Sequence, residues 1–399
     1  MSLKTSDFKI ISVVAARPNF MKIAPFIRAI DGYNYSAKSK INHVLVHTGQ
    51  HYDIRMSRDF FDSLNIPDAD IHLNIGSGTH SEQVGYTMIA LEKVFIEHNP
   101  DWVVVVGDVN ATLAASVTAK KLKIKVCHIE AGLRSNDMSM PEEINRLVTD
   151  RLSDLLLTPD KLSFSNLINE GVPENKIKFV GNIMIDSLDE NIQKAKEKDI
   201  IDIINSNIIT ESNNSFSEIT IKKSSELNPE DYGLITLHRP SNVDDNNSLN
   251  AIIDFLINEA VADLPIIWPI HPRSHKRLID FCLWDKVINN DRLIILHPVG
   301  YHEMLRLNMS ARIVLTDSGG LQEECTVLGT PCITLRWNTE RPVTLRENGG
   351  TNVLVGNNIE KLREEYRTSL SIKQSRKRPE LWDGNTAKRC LDAILKYDS

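Results

Sequence analysis

The sequence has few of the residues that cross-link a fold or embed it in a membrane. Its five cysteines are an odd number, and no two are spaced as C-x-x-C. They predict reduced, mostly buried thiols and argue against a disulfide framework or a cysteine-based zinc site. No apolar run approaches the roughly 18 residues that span a bilayer, and the N-terminal MSLKTSDFKI lacks the apolar core of a signal peptide. We therefore expect a cytoplasmic protein that does not enter a membrane.

Basic residues are not in excess either. Lysine and arginine total 46 against 53 aspartate and glutamate, which gives a formal net charge of −7. This balance argues against a nucleic-acid binder, which would carry a basic stripe. The chain also lacks a P-loop and a G-x-S-x-G elbow, so neither a P-loop nucleotidase nor an α/β-hydrolase is expected.

What the sequence does contain is a regular alternation of buried strands and amphipathic helices. Apolar β-branched runs at Lys9–Ala15, Trp102–Val106 and Lys125–Ile129 are each followed by a segment with helical periodicity. The alternation weakens after Asp186 and resumes at Gly233. Such a pattern predicts parallel sheets covered by helices on both faces. Because 399 residues are too many for one compact core, the expected fold class is α/β with two doubly wound, Rossmann-like domains.

The predicted domain boundaries follow from the same pattern. The first Rossmann-like domain is expected at 1–185 and the second at 231–378, with a connecting or inserted segment at 186–230. Part of that segment, 206–228, is rich in asparagine and serine, and no regular structure is predicted for it. A final helix at 385–397 follows a complete second sheet, and we expect it to pack back on the first domain.

Three carboxylates mark the first domain as a place for proton chemistry. Asp108 and Glu130 each follow a predicted strand, and Glu142 opens a predicted helix. The carboxyl ends of parallel strands face the ligand crevice, so these groups are expected at one rim, where they favour proton transfer. Each also has a structural alternative: a carboxylate after a strand can cap a helix, and Glu142 could pair with Arg146 at i,i+4.

An arginine occupies the first strand-to-helix turn. Arg17 stands where dinucleotide-binding folds hold phosphate, but the turn lacks the glycines of G-x-G-x-x-G. A nicotinamide cofactor is therefore not expected. An arginine there can bind a diphosphate instead, and a surface arginine at a strand end is the alternative.

The second domain contains a sharper anion-binding pattern. In TDSGGLQEE, Ser318, Gly319 and Gly320 leave a strand and open a helix, so free N–H groups and the helix dipole would face an anion. Glu324 lies one turn further on and could accept hydrogen bonds from ribose hydroxyls. A plain serine N-cap would explain Ser318 alone, but not the two glycines and two acids.

Histidines and arginines are predicted on the same rim as Ser318. His238-Arg239 and His271 follow the first two strands of the second domain, and Arg341 follows the fifth. A lone histidine after a strand is more often a capping or core residue. Two histidines on one rim favour phosphate binding.

Two patterns that could suggest a metal are set aside. Asp68-Ala-Asp70 matches the D-x-D of metal-dependent glycosyltransferases but lies in a predicted loop, and such a tripeptide is common by chance. His43, His47 and His51 recur with period four, yet the first two fall on a strand, so zinc is not expected.

Seven ordered motifs form a specific pattern over nearly the full length of the chain. They are RPNFMKIAP, TGQHYD, VVVVGDVNATLA, HIEAGLRSNDMSMPEEINR, LHRPSN, LTDSGGLQEE and TERPVT. Together they resemble the non-hydrolysing UDP-N-acetylglucosamine 2-epimerase family. The resemblance implies a glycosyltransferase-B-like pair of Rossmann domains with the active site in the interdomain cleft, and a homodimer. It also implies an isomerase that interconverts UDP-GlcNAc and UDP-ManNAc without a cofactor, by eliminating UDP to a 2-acetamidoglucal and adding it back.

The resemblance implies roles for individual residues. Asp108, Glu130 and Glu142 match the acid–base residues of the family, without distinguishing acid from base, and His238 is grouped with them as catalytic. The positions expected to hold the UDP-sugar, including Arg239 and His271 from their place on the rim, are Arg17, Lys22, His238, Arg239, His271, Ser318, Gly319, Gly320, Glu324 and Arg341.

Departures from the family pattern leave alternatives open. Gln50 and His51 match an allosteric UDP-GlcNAc site of some members, but the surrounding loop differs. The link from Arg134 to the PEE triplet is short, as in a surface-polysaccharide branch that includes epimerases of UDP-2,3-diacetamido-uronic acids, although EAGLR favours UDP-GlcNAc. A glycosyltransferase-B transferase would share the nucleotide half of the site but needs an acceptor pocket. The EAGLR and PEEINR motifs argue against a hydrolysing epimerase, and the three intact carboxylates argue against a silent nucleotide-sugar sensor.

Overall fold

The structure, a computed structural model, describes residues 8–49, 67–209, 228, 231–372 and 377–397. No helix among these residues is both long and apolar enough to cross a membrane. The chain divides into two compact units, called here the first unit and the second unit: Met1–Glu190 with Glu380–Ser399, and Asn191–Pro379.

The first unit is built on one parallel sheet of seven strands. The strands are β1 (Phe8–Val14), β2 (Ile41–His47), β3 (Ile71–His72), β4 (Trp102–Val106), β5 (Lys125–Ile129), β6 (Leu155–Thr158) and β7 (Ile177–Phe179). Their order is β3-β2-β1-β4-β5-β6-β7, and every neighbouring pair is parallel. The sheet therefore grows outward in both directions from β1 and β4, which is the doubly wound arrangement. All five residues of β4 are buried, as expected for a strand covered on both faces.

Helices alternate with these strands along the chain. They are α1 (Arg17–Ser36), α2 (His80–His98), α3 (Asn110–Lys121), α4 (Pro141–Leu152), α5 (Lys161–Asn169) and α6 (Ile183–Lys196), with a 3-10 turn at Glu174–Lys176. The last of these, α6, crosses the boundary between the two units.

The second unit repeats the architecture with six parallel strands. They are β8 (Gly233–Thr236), β9 (Ile266–Pro269), β10 (Leu293–Leu296), β11 (Ile313–Thr316), β12 (Cys332–Thr334) and β13 (Asn352–Leu354). Their order is β10-β9-β8-β11-β12-β13. Its carboxyl edge beside β8 and β11 is a topological switch point, where doubly wound folds bind ligands.

The helices of the second unit are mostly short. They are α7 (Ile200–Asn207), α8 (Pro240–Val243), α9 (Asn246–Phe255), α10 (Val261–Asp263), α11 (Pro272–Asp280), α12 (Trp284–Ile288), α13 (Tyr301–Ser310), α14 (Gly319–Leu328) and α15 (Ile359–Ser371). A π-helical stretch, Leu256–Ala260, joins α9 to α10, and Pro342–Thr344 and Arg346–Asn348 form 3-10 turns.

The final helix, α16 (Thr386–Leu395), belongs to the first unit and packs against α1. Its first two backbone N–H groups donate to the carboxylate of Asp186, at 3.1 and 2.7 Å. Just before the helix, the indole of Trp382 is buried and donates to the carbonyl of Pro159. The chain therefore returns to the first unit through both capping and core contacts.

The predicted fold class, α/β with two doubly wound sheets, is confirmed. The sequence pattern missed two short strands, β3 and β13, and the helices α7, α8 and α12. Within the expected connecting segment, α6 begins before 186 and α7 follows it, and the structure assigns residues from Asn191 onward to the second unit. Residues 210–227 of that segment lie outside the described residues. So does the stretch 54–64, where apolar residues at helical spacing predict a helix.

Candidate active site

Two of the predicted carboxylates follow neighbouring strands of the first sheet. Asp108 comes after β4 and Gly107, and Glu130 directly follows β5. Gly107 has φ +69°, and a Cβ there would lie 3.3 Å from Nζ of Lys22 and 3.5 Å from Oε2 of Glu130. Position 107 favours glycine because its φ is positive and because the side chains of Lys22 and Glu130 lie directly against it.

Glu130 is held in an unusual state. Its side chain is only 2% exposed, and Oε2 forms an ion pair with Lys22. Its other oxygen, Oε1, is buried and makes no hydrogen bond within the described part of the chain. The residue also has φ +70°, a left-handed conformation that is rare outside glycine. A buried carboxylate oxygen without a donor and a strained backbone are features that cluster at functional sites.

Asp108 is fixed from helix α4. Its Oδ2 lies 2.8 Å from Nη2 and 2.9 Å from Nε of the buried Arg146. Asn145, the preceding residue, donates to the backbone carbonyl of Asp108 at 2.8 Å. Two adjacent α4 residues thus position Asp108, and sequence reasoning did not assign either of them to the site.

The two glutamates of the PEE triplet differ sharply. Glu143 is buried and accepts hydrogen bonds from the N–H and hydroxyl of Ser135, both at 3.0 Å, and also pairs with Arg146. Glu142 is half-buried and makes no hydrogen bond or ion pair with any described residue. The alternative that Glu142 only pairs with Arg146 is therefore wrong. Glu143 has the structural role, and the carboxylate of Glu142 has no protein partner among described residues.

Two cations of the first unit, Lys22 and Arg17, are predicted to hold UDP, and the structure describes the side chain of Lys22 but not that of Arg17. Lys22 is buried on α1 and pairs with Glu130, so its charge lies next to the carboxylate expected to move a proton. As a contact to UDP it stays a prediction. Arg17 begins α1, but its side chain lies outside what the structure describes, and so do Gln50 and His51.

In the second unit, His238 is oriented by a carboxylate that sequence reasoning missed. Nδ1 of His238 lies 2.8 Å from Oδ1 of the fully buried Asp317. The same carboxylate accepts the backbone N–H groups of His238 and Arg239, at 3.0 and 2.8 Å, and the amide of Asn242 at 3.1 Å. Burial opposes the ionised form of Asp317, but the hydrogen bonds and charge of His238 hold its pKa below the ordinary value. Because Nδ1 is held by Asp317, Nε2 is the ring nitrogen left to meet a ligand.

The glycine turn of the second unit begins helix α14. Ser318 is the N-cap residue, but its side chain makes no capping hydrogen bond, so the plain N-cap interpretation is wrong. A Cβ at Gly319 would lie 2.7 Å from Nη1 of Arg341, whereas a Cβ at Gly320 would meet no atom within 4 Å. The first turn of α14 thus presents uncapped N–H groups beside open space, which is the arrangement that binds phosphate.

The side chain of Arg341 lies against this turn at Gly319. It is buried, its Nε lies 2.8 Å from Oε1 of Glu323, and its Nη1 pairs with Glu340. Glu340 in turn pairs with Arg336 at 2.8 Å. The charge of Arg341 is therefore already balanced by two glutamates, and its direct contact with UDP stays a prediction.

The other two rim residues of the second unit have different surroundings. His271 caps α11, because its Nδ1 accepts the N–H of Arg273 at 3.1 Å, so the capping alternative is correct for that nitrogen. Its ring centroid lies 5.5 Å from that of His238, and partial burial together with His238 lowers its pKa. The guanidinium Nε of Arg239 is buried and has no hydrogen bond among the described residues.

Glu324 lies one turn into α14 and is buried. Burial raises its pKa to about 7, and the nearby polar side chains of Asn308 and Tyr301 oppose this rise. No group of three or more His, Cys, Asp or Glu side chains in the described ranges could hold a metal ion.

Similarity to known proteins was found over the whole chain. A family model described as UDP-N-acetylglucosamine 2-epimerase matches residues 34–395. The UDP-N-acetylglucosamine 2-epimerase of Methanocaldococcus jannaschii is 43% identical over 391 residues, which are 98% of this chain and 99% of that protein. The UDP-2,3-diacetamido-2,3-dideoxy-D-glucuronate 2-epimerase of Pseudomonas aeruginosa is 37% identical over 366 residues, 91% of this chain and 92% of that protein.

Solved structures give the same result. The M. jannaschii UDP-GlcNAc 2-epimerase in complex with UDP-GlcNAc and UDP has a TM-score of 0.83 at 42% identity, covering 98% of this chain and 100% of that chain. The UDP-GlcNAc 2-epimerase from Neisseria meningitidis bound to UDP-GlcNAc has a TM-score of 0.79 at 28% identity, with 98% and 100% covered. These matches confirm the resemblance drawn from the seven motifs.

Proposed function

The chain belongs to the UDP-N-acetylglucosamine 2-epimerase family, and we propose that it interconverts UDP-GlcNAc and UDP-ManNAc by inverting C2 of the sugar. The observation that supports this most is Glu130, a buried carboxylate with one oxygen that has no partner among the described residues, which lies against Lys22 and against Gly107, the residue before Asp108. Such a group is suited to accept or return a proton in a site that excludes water.

The reaction proceeds by elimination and re-addition. A carboxylate removes the C2 proton, the bond from C1 to the diphosphate oxygen breaks, and a C1=C2 double bond forms, which yields UDP and a 2-acetamidoglucal. Return of a proton to the opposite face of C2, with UDP adding back to C1, gives the epimer. Inversion therefore needs proton-transfer groups on both faces of the sugar, which three carboxylates can supply.

Asp108, Glu130 and Glu142 are the proposed acid–base residues. Glu142 has no protein partner within the described residues, and Asp108 is held on Arg146, so both can face a substrate without first breaking a buried network. Lys22 forms an ion pair with Glu130 and so balances the charge of the carboxylate that is proposed to move the proton.

The second unit is proposed to hold the leaving UDP. The C2 proton is barely acidic, so its loss becomes feasible only when the departing diphosphate is stabilised. His238, through Nε2, the hydroxyl of Ser318 and the N–H groups of Gly319 and Gly320 are the proposed diphosphate contacts, with Arg239, His271 and Arg341 contributing positive or polar groups. Glu324 is proposed to receive the ribose hydroxyls, and Arg17 to add a further cation. No metal or cofactor is required by this route.

The proposal is tested by incubating the purified chain with UDP-GlcNAc alone and separating the products by anion-exchange chromatography. The expected result is UDP-ManNAc at equilibrium with UDP-GlcNAc, with little free UDP. Free ManNAc would instead indicate a hydrolysing enzyme. Turnover that appears only when a sugar acceptor is added would indicate a glycosyltransferase-B transferase.

A second candidate substrate is favoured by one observation. The P. aeruginosa relative named as a UDP-2,3-diacetamido-2,3-dideoxy-D-glucuronate 2-epimerase is 37% identical to this chain. That sugar differs by a carboxylate at C6 and an acetamido group at C3, which would need an additional cation and amide contact. Parallel kcat/KM measurements on the two nucleotide sugars decide between them, and we expect UDP-GlcNAc to be the better substrate.

We also propose that the enzyme works as a cytoplasmic homodimer. One face of α2 exposes Tyr86, Ile89 and Ile96, at 58%, 59% and 65%. Their spacing places them on one stripe of the helix. Light scattering after size-exclusion chromatography tests the dimer, and Ile89→Lys should produce monomer if this stripe forms the interface.

A further inference from the structure

One buried group connects the two loops that carry Asp108 and Glu130. Asp150, on α4, is nearly fully buried and uses both of its carboxylate oxygens. Oδ1 lies 2.6 Å from Nδ1 of His128, in β5. Oδ2 accepts the backbone N–H of Gly132 at 3.0 Å and lies 2.7 Å from Nη1 of Arg134.

The arm through His128 reaches the Asp108 loop. Nε2 of His128 lies 2.9 Å from the carbonyl oxygen of Gly107, the residue before Asp108. A carbonyl oxygen can only accept, so Nε2 carries a proton. The ring of His128 is fully buried and spans the space between Asp150 and the turn after β4.

The arm through Gly132 and Arg134 reaches the Glu130 loop. Gly132 has φ +82°, and a Cβ there would collide with the backbone of Ser163, so this loop is pressed against α5. Arg134 also donates to the carbonyl of Leu133 at 2.7 Å, and its Nε and Nη2 both donate to Glu170 at 2.7 Å. The loop that holds Glu130 in its left-handed conformation is thus fixed on its far side by Asp150.

The positive groups of this cluster favour the ionised form of Asp150, which accepts their hydrogen bonds. Burial opposes ionisation of Asp150, but His128 and Arg134 together keep its pKa below the ordinary value, so it remains an acceptor. Since Asp150 accepts, Nδ1 of His128 also donates. A buried ionic network of this kind costs desolvation free energy, and an apolar core would be equally stable. The contacts that Asp150 makes with the two loops therefore point to a role other than stability.

We infer that Asp150 is a positioning residue. Together with His128 and Arg134 it forms what is called here the Asp150 relay, which fixes the position of the Asp108 loop relative to the Glu130 loop. This inference rests on the proposed function, because it assigns a role to a group that does not touch substrate. A proton-transfer site loses rate steeply when its groups are displaced, by about 100-fold for a shift near 1 Å. The relay connects both loops to the two carboxylate oxygens of Asp150 and so limits the displacement of Asp108 and Glu130.

The test compares Asp150→Asn with a matched control, Asp154→Asn. Asp154 is also in the first unit and also accepts a backbone N–H of β5, from Val126 at 2.9 Å, while pairing with Lys120 at 2.8 Å. It acts at the amino end of β5, away from the Asp108 and Glu130 loops. We expect D150N to lower kcat about 10- to 100-fold, with KM for UDP-GlcNAc and Kd for UDP within about threefold of the parent values. D154N should leave kcat within about threefold, because its pair is half-exposed and remote.

Two further measurements keep the inference testable whatever the assay shows. Amide hydrogen exchange, which needs no turnover, should rise in D150N around 107–110, a loop that the Asp150 side chain contacts through His128, and should not rise there in D154N. Where D150N does not fold, His128→Gln replaces it in both measurements. Where both variants fold, a double-mutant cycle of the two should be non-additive in kcat. An unchanged kcat and unchanged exchange at 107–110 in D150N, or equal losses in D154N, would overturn the inference. A parent enzyme inactive on UDP-GlcNAc would instead overturn the proposed function, while the exchange result still decides the relay.

Discussion

The ring of His238 contacts the buried carboxylate of Asp317, with Nδ1 2.8 Å from Oδ1, although 79 residues separate the two in the chain. A carboxylate on Nδ1 fixes the ring and leaves Nε2 as the nitrogen that can meet a ligand, as the aspartate does in a serine-protease triad. In the proposed reaction, Nε2 donates to the departing diphosphate when the ring is protonated on both nitrogens.

Replacing Asp317 with Asn should lower kcat/KM for UDP-GlcNAc about 100-fold or more, because the ring loses the carboxylate that orients it and supports its positive charge. The matched control is Asp244→Asn, which breaks the surface pairs with Arg273 and Arg277 and should change kcat/KM by less than about threefold. Steady-state kinetics on both variants checks this. Equal effects of the two changes would show that Asp317 does not act through His238.

Glu130→Gln should reduce turnover about 100- to 10,000-fold, because Gln cannot take up a proton at the buried site. Its affinity for UDP should stay close to that of the parent, since UDP is assigned to groups of the second unit. Turnover by chromatography and UDP binding by calorimetry separate the two effects. Loss of UDP affinity with turnover retained would reassign Glu130 to nucleotide contact.

The neighbouring glutamates of α4 provide an internal comparison. Glu142→Gln should remove most activity but leave the melting temperature unchanged, because Glu142 has no protein partner within the described residues. Glu143→Gln should lower the free energy of unfolding by about 1–3 kcal/mol, because Glu143 is buried and accepts three hydrogen bonds near Ser135. Kinetics and thermal unfolding of both variants are compared. The reverse assignment, with Glu143 essential and Glu142 silent in activity, would contradict the site.

Glu324 should make stability depend on pH. Its folded-state pKa is raised to about 7 by burial, so the stability it contributes is fully present below its ordinary value of 4.5 and is lost as pH rises through about 7. The full span corresponds to about 3 kcal/mol. Glu324→Gln removes this loss, so the melting temperature of the variant relative to the parent should increase between pH 5 and pH 8. A difference that stays constant with pH would show that Glu324 does not titrate in this range.

Much of the fold was predictable because its signals are local. The run of four valines in β4 predicts a doubly buried strand, and the structure has the strand with the same bounds, Trp102–Val106. By contrast, β3 and β13 have only two and three residues, too few for a period to be visible. Helix α7 was missed although Ile200, Ile203 and Ile204 have helical spacing and Asp199 caps it, because the Asn- and Ser-rich sequence after it suggested irregular structure.

The candidate site was predictable to the extent that position along a strand determines it. Asp108 and Glu130 were identifiable because the carboxyl ends of parallel strands share one edge. Which glutamate of the PEE triplet is buried depends on how α4 is rotated against the sheet, which no local pattern gives. The partner of His238 and the relay through Asp150 are long-range contacts, so only the folded chain reveals them.

The most direct test of the proposed chemistry is to incubate the enzyme with UDP-GlcNAc in D2O and follow the sugar by proton NMR. Elimination and re-addition predict that UDP-ManNAc forms with deuterium at C2, and that the remaining UDP-GlcNAc also loses its C2 proton signal as the reaction reverses. No acceptor should be needed, and free ManNAc should not accumulate. UDP-ManNAc that retained its C2 proton, or no exchange at C2 at all, would contradict proton transfer by Asp108, Glu130 and Glu142.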